Sequence, residues 1–208
     1  KELKVKEGEE VKKGQLLLLL DDTRAGPVYR ESLEKWKSLL ARATRLRAEA
    51  YGLPLDFPPE VASDEDLVNI ETQAYKARRN ALDEQLDALE QSRAAMTREI
   101  ELTQPLVKRG VVSEVELLRL KRQAAEVARQ IAELKTRFLT TASDELVRVD
   151  AELGQVSEIL MAHEQSLART TVRSPADGIV KDISVSTLGA IINSGQVIME
   201  IVPTNDEM

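Results

Sequence analysis

One histidine, no cysteine and 36 acidic side chains are the raw material for chemistry in this chain of 208 residues. Without cysteine there are no disulfides, thiolate metal sites or thiol nucleophiles. A single histidine excludes multi-histidine metal centres and any H-E-x-x-H helix. His163 falls on an apolar helical seam and reads as a tolerated polar residue. The alternative for it is a pH sensor, because imidazole titrates at about pH 6.5. Asp21 and Asp22 are adjacent carboxylates closing an apolar run, and they read as turn residues rather than as a metal or acid–base pair. Arg93 interrupts another seam, where its head snorkels to water, pairs with an acid across the helix pair, or fixes register. The chain has no G-x-S-x-G, no P-loop and no G-x-G-x-x-G. These residues make no catalytic set, and the sequence points away from an enzyme.

The residues that stand out are instead apolar. Leu106, Val107, Val111 and Val112 flank Lys108, Arg109 and Gly110 in a short link between two long helical patterns. At the end of a long arm they either close the turn or dock on a partner. A long arm serves little by only holding itself together, so docking is the reading taken, with apolar residues at a tip as the contact.

Composition agrees with an arm. Aromatic residues make up 3%, charged residues 31% and apolar residues 42% of the chain. Large aromatics are too scarce for an ordinary globular core. Ala, Leu, Glu, Arg and Lys at modest Gly and Pro mark long helices or coiled coil. The net charge is −7, and the basic residues are interleaved with acids, so there is no basic face for nucleic acid. The longest apolar run, Leu16 to Leu20, is of strand length and far too short to span a membrane.

The helical patterns occupy the middle. A first helix is expected over about 27–50, opened by Pro27 and carrying Leu33, Trp36, Leu40 and Ala43 at 3-4 spacing. The stretch Gly52-Leu-Pro-Leu-Asp-Phe-Pro-Pro stops it. A second helix is expected over 64–107, after a capping box at Ser63, with the seam Leu82, Leu86, Leu89, Arg93, Met96, Ile100, Thr103 and Val107. A third is expected over 113–171, capped by Ser113, with the seam Leu120, Ala124, Val127, Ile131, Leu134, Phe138, Ala142, Leu146, Val149, Leu153, Val156, Leu160, His163 and Leu167. Two consecutive steps of four at Phe138, Ala142 and Leu146 form a stutter. At ~1.5 Å per residue this third helix is about 88 Å long. A link as short as Lys108 to Val112 forces the last two helices antiparallel.

The ends are β-like and resemble each other. Glu7–Leu20 and Leu188–Ile201 align without a gap, matching Gly8 with Gly189, Val11 with Ile192, Gly14 with Gly195 and Gln15 with Gln196. Neither half buries a core alone, so the two are expected to pack together as a small β-sandwich. The expected fold is mainly α with a small β part. A long antiparallel coiled-coil hairpin, with three helices, is inserted between the two halves of the sandwich. The domains are 1–25, 26–171 and 172–208.

These features resemble the hemolysin D family of membrane fusion proteins, the periplasmic adaptor subunits of type I secretion systems. The resemblance rests on the split lipoyl-like motifs at Val5–Asp22 and Arg173–Pro203, the helical insertion between them, and the tip text ELTQPLVKRGVVSEVELLRLKRQAAE at Glu101–Glu126. It implies an adaptor anchored in the inner membrane of a Gram-negative cell and projecting into the periplasm. Such an adaptor assembles as a homo-oligomer, a hexamer, and links an ABC transporter to a TolC-like outer-membrane channel for one-step export of a protein substrate. The alternative is an adaptor of a tripartite drug-efflux pump. The family's tip motif falls on Leu106, Gly110 and Ser113, and the implied docking residues are Leu106, Lys108, Arg109, Gly110, Val111, Val112 and Ser113. Leu102 stands where efflux adaptors carry an Arg. Arg24 stands where a true lipoyl domain carries its modified Lys, so no lipoate or other cofactor is expected. The chain reads as an excised fragment, cut away from the family's β-barrel domain and membrane helix. Leu106→Asp or Gly110→Pro is expected to abolish export while the fragment stays folded.

Overall fold

The computed structural model describes residues 2–184 and 195–204. Their elements run β1 (Glu2–Leu3), β2 (Glu10–Val11), β3 (Leu16–Leu19), α1 (Ala25–Tyr51), α2 (Pro59–Ala62), α3 (Glu65–Lys108), α4 (Glu114–Ala168), β4 (Thr171–Arg173), β5 (Gly178–Ile183) and β6 (Met199–Pro203). The protein is mainly helical, with a long helical hairpin and two small antiparallel sheets. It divides into two compact units, Lys1–Trp36 with Gln155–Met208, and Lys37–Gly154.

In the first unit each sheet mixes strands from both ends of the chain. One has the order β1-β3-β4 and the other β2-β5-β6. The register places Leu18 opposite Val172 and Glu10 opposite Ile179. Both sheets feed one apolar cluster of Val5, Val11, Leu17 and Val180, with Ile183, Met199 and Ile201 packed against it. Two N-terminal turns share one construction. In Lys6–Glu9 and Lys12–Gln15 the third residue is a glycine at positive φ, +83° for Gly8 and +84° for Gly14. The fourth residue donates its N–H to the first carbonyl, and its own side chain accepts the first N–H, at 2.8 Å for Glu9 and 3.0 Å for Gln15. Gly195, the repeat partner of Gly14, has φ +82°. Gly189 and Ile192 lie outside the described residues.

Gly178 is needed for a different reason. It opens β5, and a Cβ there would lie 2.5 Å from the Val202 carbonyl oxygen. Glycine is required by close approach of a neighbouring strand, not by backbone conformation.

The second unit holds the hairpin. Arg78 meets Glu145 and Glu90 meets Lys135, so α3 and α4 run antiparallel. Arg45 meets Glu71 while Glu49 lies beside Arg78, so α1 runs parallel to α3. Residues 52–64 therefore form a return strap. Leu53, Pro54, Asp56, Phe57, Pro58 and Pro59 line a cleft with Leu40, Thr44, Arg47 and Ala48, and Val61 of α2 is fully buried. Because neighbours cover α1 on several sides, Leu39, Ala41, Ala43, Arg45, Leu46, Ala48 and Glu49 are all buried. The single stripe read from the sequence misses this enclosure. No helix among the described residues is long and apolar enough to cross a membrane.

Three boundaries differ from expectation. Asp64, not Ser63, caps α3, its carboxylate accepting the Leu67 N–H at 3.1 Å. Ser63 instead ends α2. Helix α4 stops at Ala168 rather than 171: Thr170 turns its hydroxyl to the Leu167 carbonyl at 2.7 Å and gives its own carbonyl to Leu20 N–H at 2.7 Å. Helix α1 starts two residues ahead of Pro27, which still sits in the first turn.

Candidate docking site

The seam of α4 is legible residue by residue. Every expected position from Leu120 to Leu167 is buried or half-buried, including the stutter residues Phe138, Ala142 and Leu146. The facing seam on α3 is half-buried throughout, with one exchange: Arg93 is exposed and Ser92 takes the inner position. A long guanidinium stem leaves a seam more cheaply than a short hydroxyl does.

The hairpin turn is built by a Schellman motif. Gly110 N–H donates to Val107 O at 2.9 Å and Val111 N–H to Leu106 O at 3.0 Å. Gly110 supplies the left-handed backbone this needs, with φ +74°. Pro105, in the last turn of α3, has no N–H to give to the Glu101 carbonyl. On the far side Ser113 Oγ accepts the Val115 N–H at 3.2 Å, and Ser113 O accepts the Glu116 N–H at 3.1 Å. Ser113 thus caps α4 as expected. The Glu116 carboxylate is taken by Arg119, whose hydrogen bond holds it below the usual carboxylate range.

The turn thus has fixed backbone and uncovered side chains. Leu106, Lys108, Arg109, Gly110, Val111 and Ser113 are exposed and Val112 is half-buried. Sequence reasoning missed that this apolar surface continues down both helices. Leu102 is 64% exposed, Val111 70%, Val115 69% and Leu118 51%. The signal was present as apolar residues off the seam on both sides of the link.

Residues 26–102 match the family model described as AprE, long alpha-helical hairpin. The type I secretion system membrane fusion protein PrsE of Rhizobium meliloti is 28% identical, with 100% of this chain and 58% of that protein aligned. The proteases secretion protein PrtE of Dickeya chrysanthemi is 26% identical, with 99% of this chain and 57% of that protein aligned. The chain is a homologue of the type I secretion membrane fusion proteins. It spans less than two thirds of the length of the curated membrane fusion proteins it matches. In fold it is similar to the crystallised soluble domain of LipC, described as a membrane fusion protein of a type I secretion system. That match has a TM-score of 0.63 at 22% identity, covering 98% of this chain and 95% of that one.

The residues singled out for other chemistry have structural roles in this membrane fusion protein homologue. Asp21 accepts the Thr23 N–H and hydroxyl in the turn ahead of α1, and these bonds lower its pKa. His163 Nδ1 lies 2.8 Å from Ser32 Oγ, whose hydroxyl also reaches the Val28 carbonyl at 3.0 Å. No group of three or more metal-ligating side chains occurs among the described residues.

A cluster the sequence did not reveal lies in the helical unit. Arg45 donates to Glu71 at 2.6 Å and to Glu49 at 2.8 Å. Arg78 donates to Glu145 at 2.9 Å and stands 3.4 Å from the second Glu49 oxygen. That oxygen is buried and, despite the ion-pair distance, takes no hydrogen bond because the geometry is off axis. Burial works against the Arg45 charge, but the Glu71 and Glu49 carboxylates outweigh it and hold its pKa above the ordinary value.

Proposed function

We propose that this chain is the lipoyl-like and hairpin portion of a periplasmic adaptor. It links an inner-membrane ABC transporter to a TolC-like outer-membrane channel for one-step export of a protein substrate. The observation that carries this reading is a hydrogen-bonded turn whose apolar residues Val111 and Val115 face solvent beside the partly exposed Leu106, on a chain homologous to secretion membrane fusion proteins. The two mixed sheets serve as the lipoyl-like base, retained for packing and assembly without a lipoate. In the complete protein this portion is held in the periplasm by an inner-membrane anchor. Contacts through one small tip are weak, and six tips acting together supply avidity. The relatives are named for a type I secretion system and for protease secretion, which favours protein export over drug efflux.

Cysteine cross-linking tests the docking. This chain has no native Cys, so Ser113→Cys gives it a single thiol, and any Cys elsewhere in the full-length protein is first replaced by Ser. Paired with a cysteine series along the periplasmic end of a TolC-like channel, in cells with transporter and substrate, it is expected to cross-link at a narrow set of positions. Absence of any cross-link from a protein that still exports would overturn the docking role.

A further inference from the structure

The uncovered apolar residues of the tip do not share one face. Successive helical residues turn by ~100°, so Leu102 lies more than about 120° from the α3 seam of Ile100, Thr103 and Val107. Val115 and Leu118 lie as far from the α4 seam of Leu117, Leu120 and Ala124. Leu102 therefore looks outward from α3, Val115 and Leu118 look outward from α4, and Val111 stands at the turn between them, all four exposed. A flat surface meets one of these sides at a time. A concave surface meets both.

Each outward strip runs into a free cation. Arg98 stands one turn below Leu102 on α3, Arg122 one turn below Leu118 on α4, and Lys108 and Arg109 lie at the turn. All four are exposed, and none makes an ion pair or a side-chain hydrogen bond among the described residues. Arg119 differs, because Glu116 holds it at 2.5 Å. Lys108 and Arg109 also offset the carbonyl end of α3, a task that Arg98 and Arg122 do not share. Residues 98–122 carry six bases and four acids on a chain whose net charge is −7, and residues 102–113 include no acid. An apolar patch edged by free cations has the anatomy of an interface core and its rim. The rim that complements it is anionic.

We propose that the tip is received by a concave protein socket with an apolar floor and with carboxylates set against Arg98, Lys108, Arg109 and Arg122. This rests on the docking reading above and adds the chemistry that the channel presents. The apolar side chains hold the complex, while the rim charges speed the encounter and fix its orientation. An anionic lipid surface shares the charge but not the shape.

The test uses the full-length protein in cells with transporter, channel and substrate, with Ser113→Cys cross-linking and export read together. A variant carrying Arg98→Glu, Lys108→Glu, Arg109→Glu and Arg122→Glu is expected to keep the parental helical circular dichroism. It should lose at least tenfold in export and in cross-link yield. The same four positions changed to Gln, which adds no repulsion, should give a smaller loss of both. Replacing single Asp or Glu residues at the periplasmic end of the channel by Lys is expected to restore at least part of both signals to the Glu variant and to weaken the parent. Parental export and cross-linking in the Glu variant would overturn the acidic socket and leave docking standing. A loss that no channel replacement reverses would overturn it too, because the anionic partner would then lie elsewhere, as on a lipid surface. A parent that exports without any cross-link would remove the docking reading itself.

Discussion

At the residue scale, the structure separates side chains that hold the fold from those it leaves exposed. Gly178 holds: with the Val202 carbonyl oxygen 2.5 Å from where its Cβ would be, Gly178→Ala must push two paired strands apart. The expected loss is about 1–3 kcal/mol, read as a lowered denaturation midpoint. Glu145 also holds. Its hydrogen bonds to Arg78 depress its pKa from the ordinary value of 4.5. A carboxylate depressed on folding stabilises the folded state above its unfolded pKa, and loses that contribution as pH falls through the lowered folded value. Stability is therefore expected to fall below pH 4.5, and Glu145→Gln to flatten that part of an acid titration followed by circular dichroism. Leu106 keeps only 37% of its surface exposed, so Leu106→Asp is expected to lower stability by about 1 kcal/mol, to keep the helical circular dichroism, and to abolish export in a secretion assay. Gly110→Pro is no longer a clean companion. Proline is locked near φ −65° and lacks an N–H, while Gly110 sits at φ +74° and donates to Val107. The substitution would break the turn as well as any contact.

At the scale of elements, helix ends carry more of the design than helix interiors. Helix α3 has 44 residues and buries none of them fully, so its start and stop depend on specific caps. Asp64→Ala removes the bond to Leu67 N–H and is expected to cost about 1 kcal/mol. The first turn of α3 should then exchange amide hydrogens faster, while Ser63→Ala should not. That contrast separates the structural cap from the residue a capping-box pattern selects. The ladder of Glu126, Arg129, Glu133 and Arg137 along α4 is exposed to water and contributes little to stability. The cleft between α1 and the strap follows from direction. A helix parallel to its successor needs a return segment; the prolines at 54 and 58 keep its first part extended, and Pro59 opens α2.

Across the whole molecule, the ordering of the β unit depends on bringing the chain ends together. Strands β2 and β3 pair with β5 and β4, across the entire helical insertion. Removing residues 1–20 takes away β1, β2 and β3 and leaves β4 and β5 without those partners. The expected outcome is loss of amide protection in both C-terminal strands by hydrogen exchange, and protection that survives there would contradict the mixed-sheet topology. Non-local pairing of this kind is slow to form, which makes the helices the natural first structure.

The sequence by itself determined whatever is local and periodic. The seam of α4, the antiparallel hairpin, the exposed turn at Leu106 to Ser113 and the N-terminal glycine turns at Gly8 and Gly14 all follow from spacing, capping residues and link length. Periodicity carries that information because a helix maps seven residues onto one face whatever surrounds it. Only the tertiary structure decided the parallel course of α1 beside α3, the interleaving of strands from both ends, the need for glycine at 178 and the buried cluster around Arg45. Each depends on which surface comes to lie opposite. Arg45 and Glu49 look like an ordinary solvent-facing pair until the strap, α3 and α4 close around them.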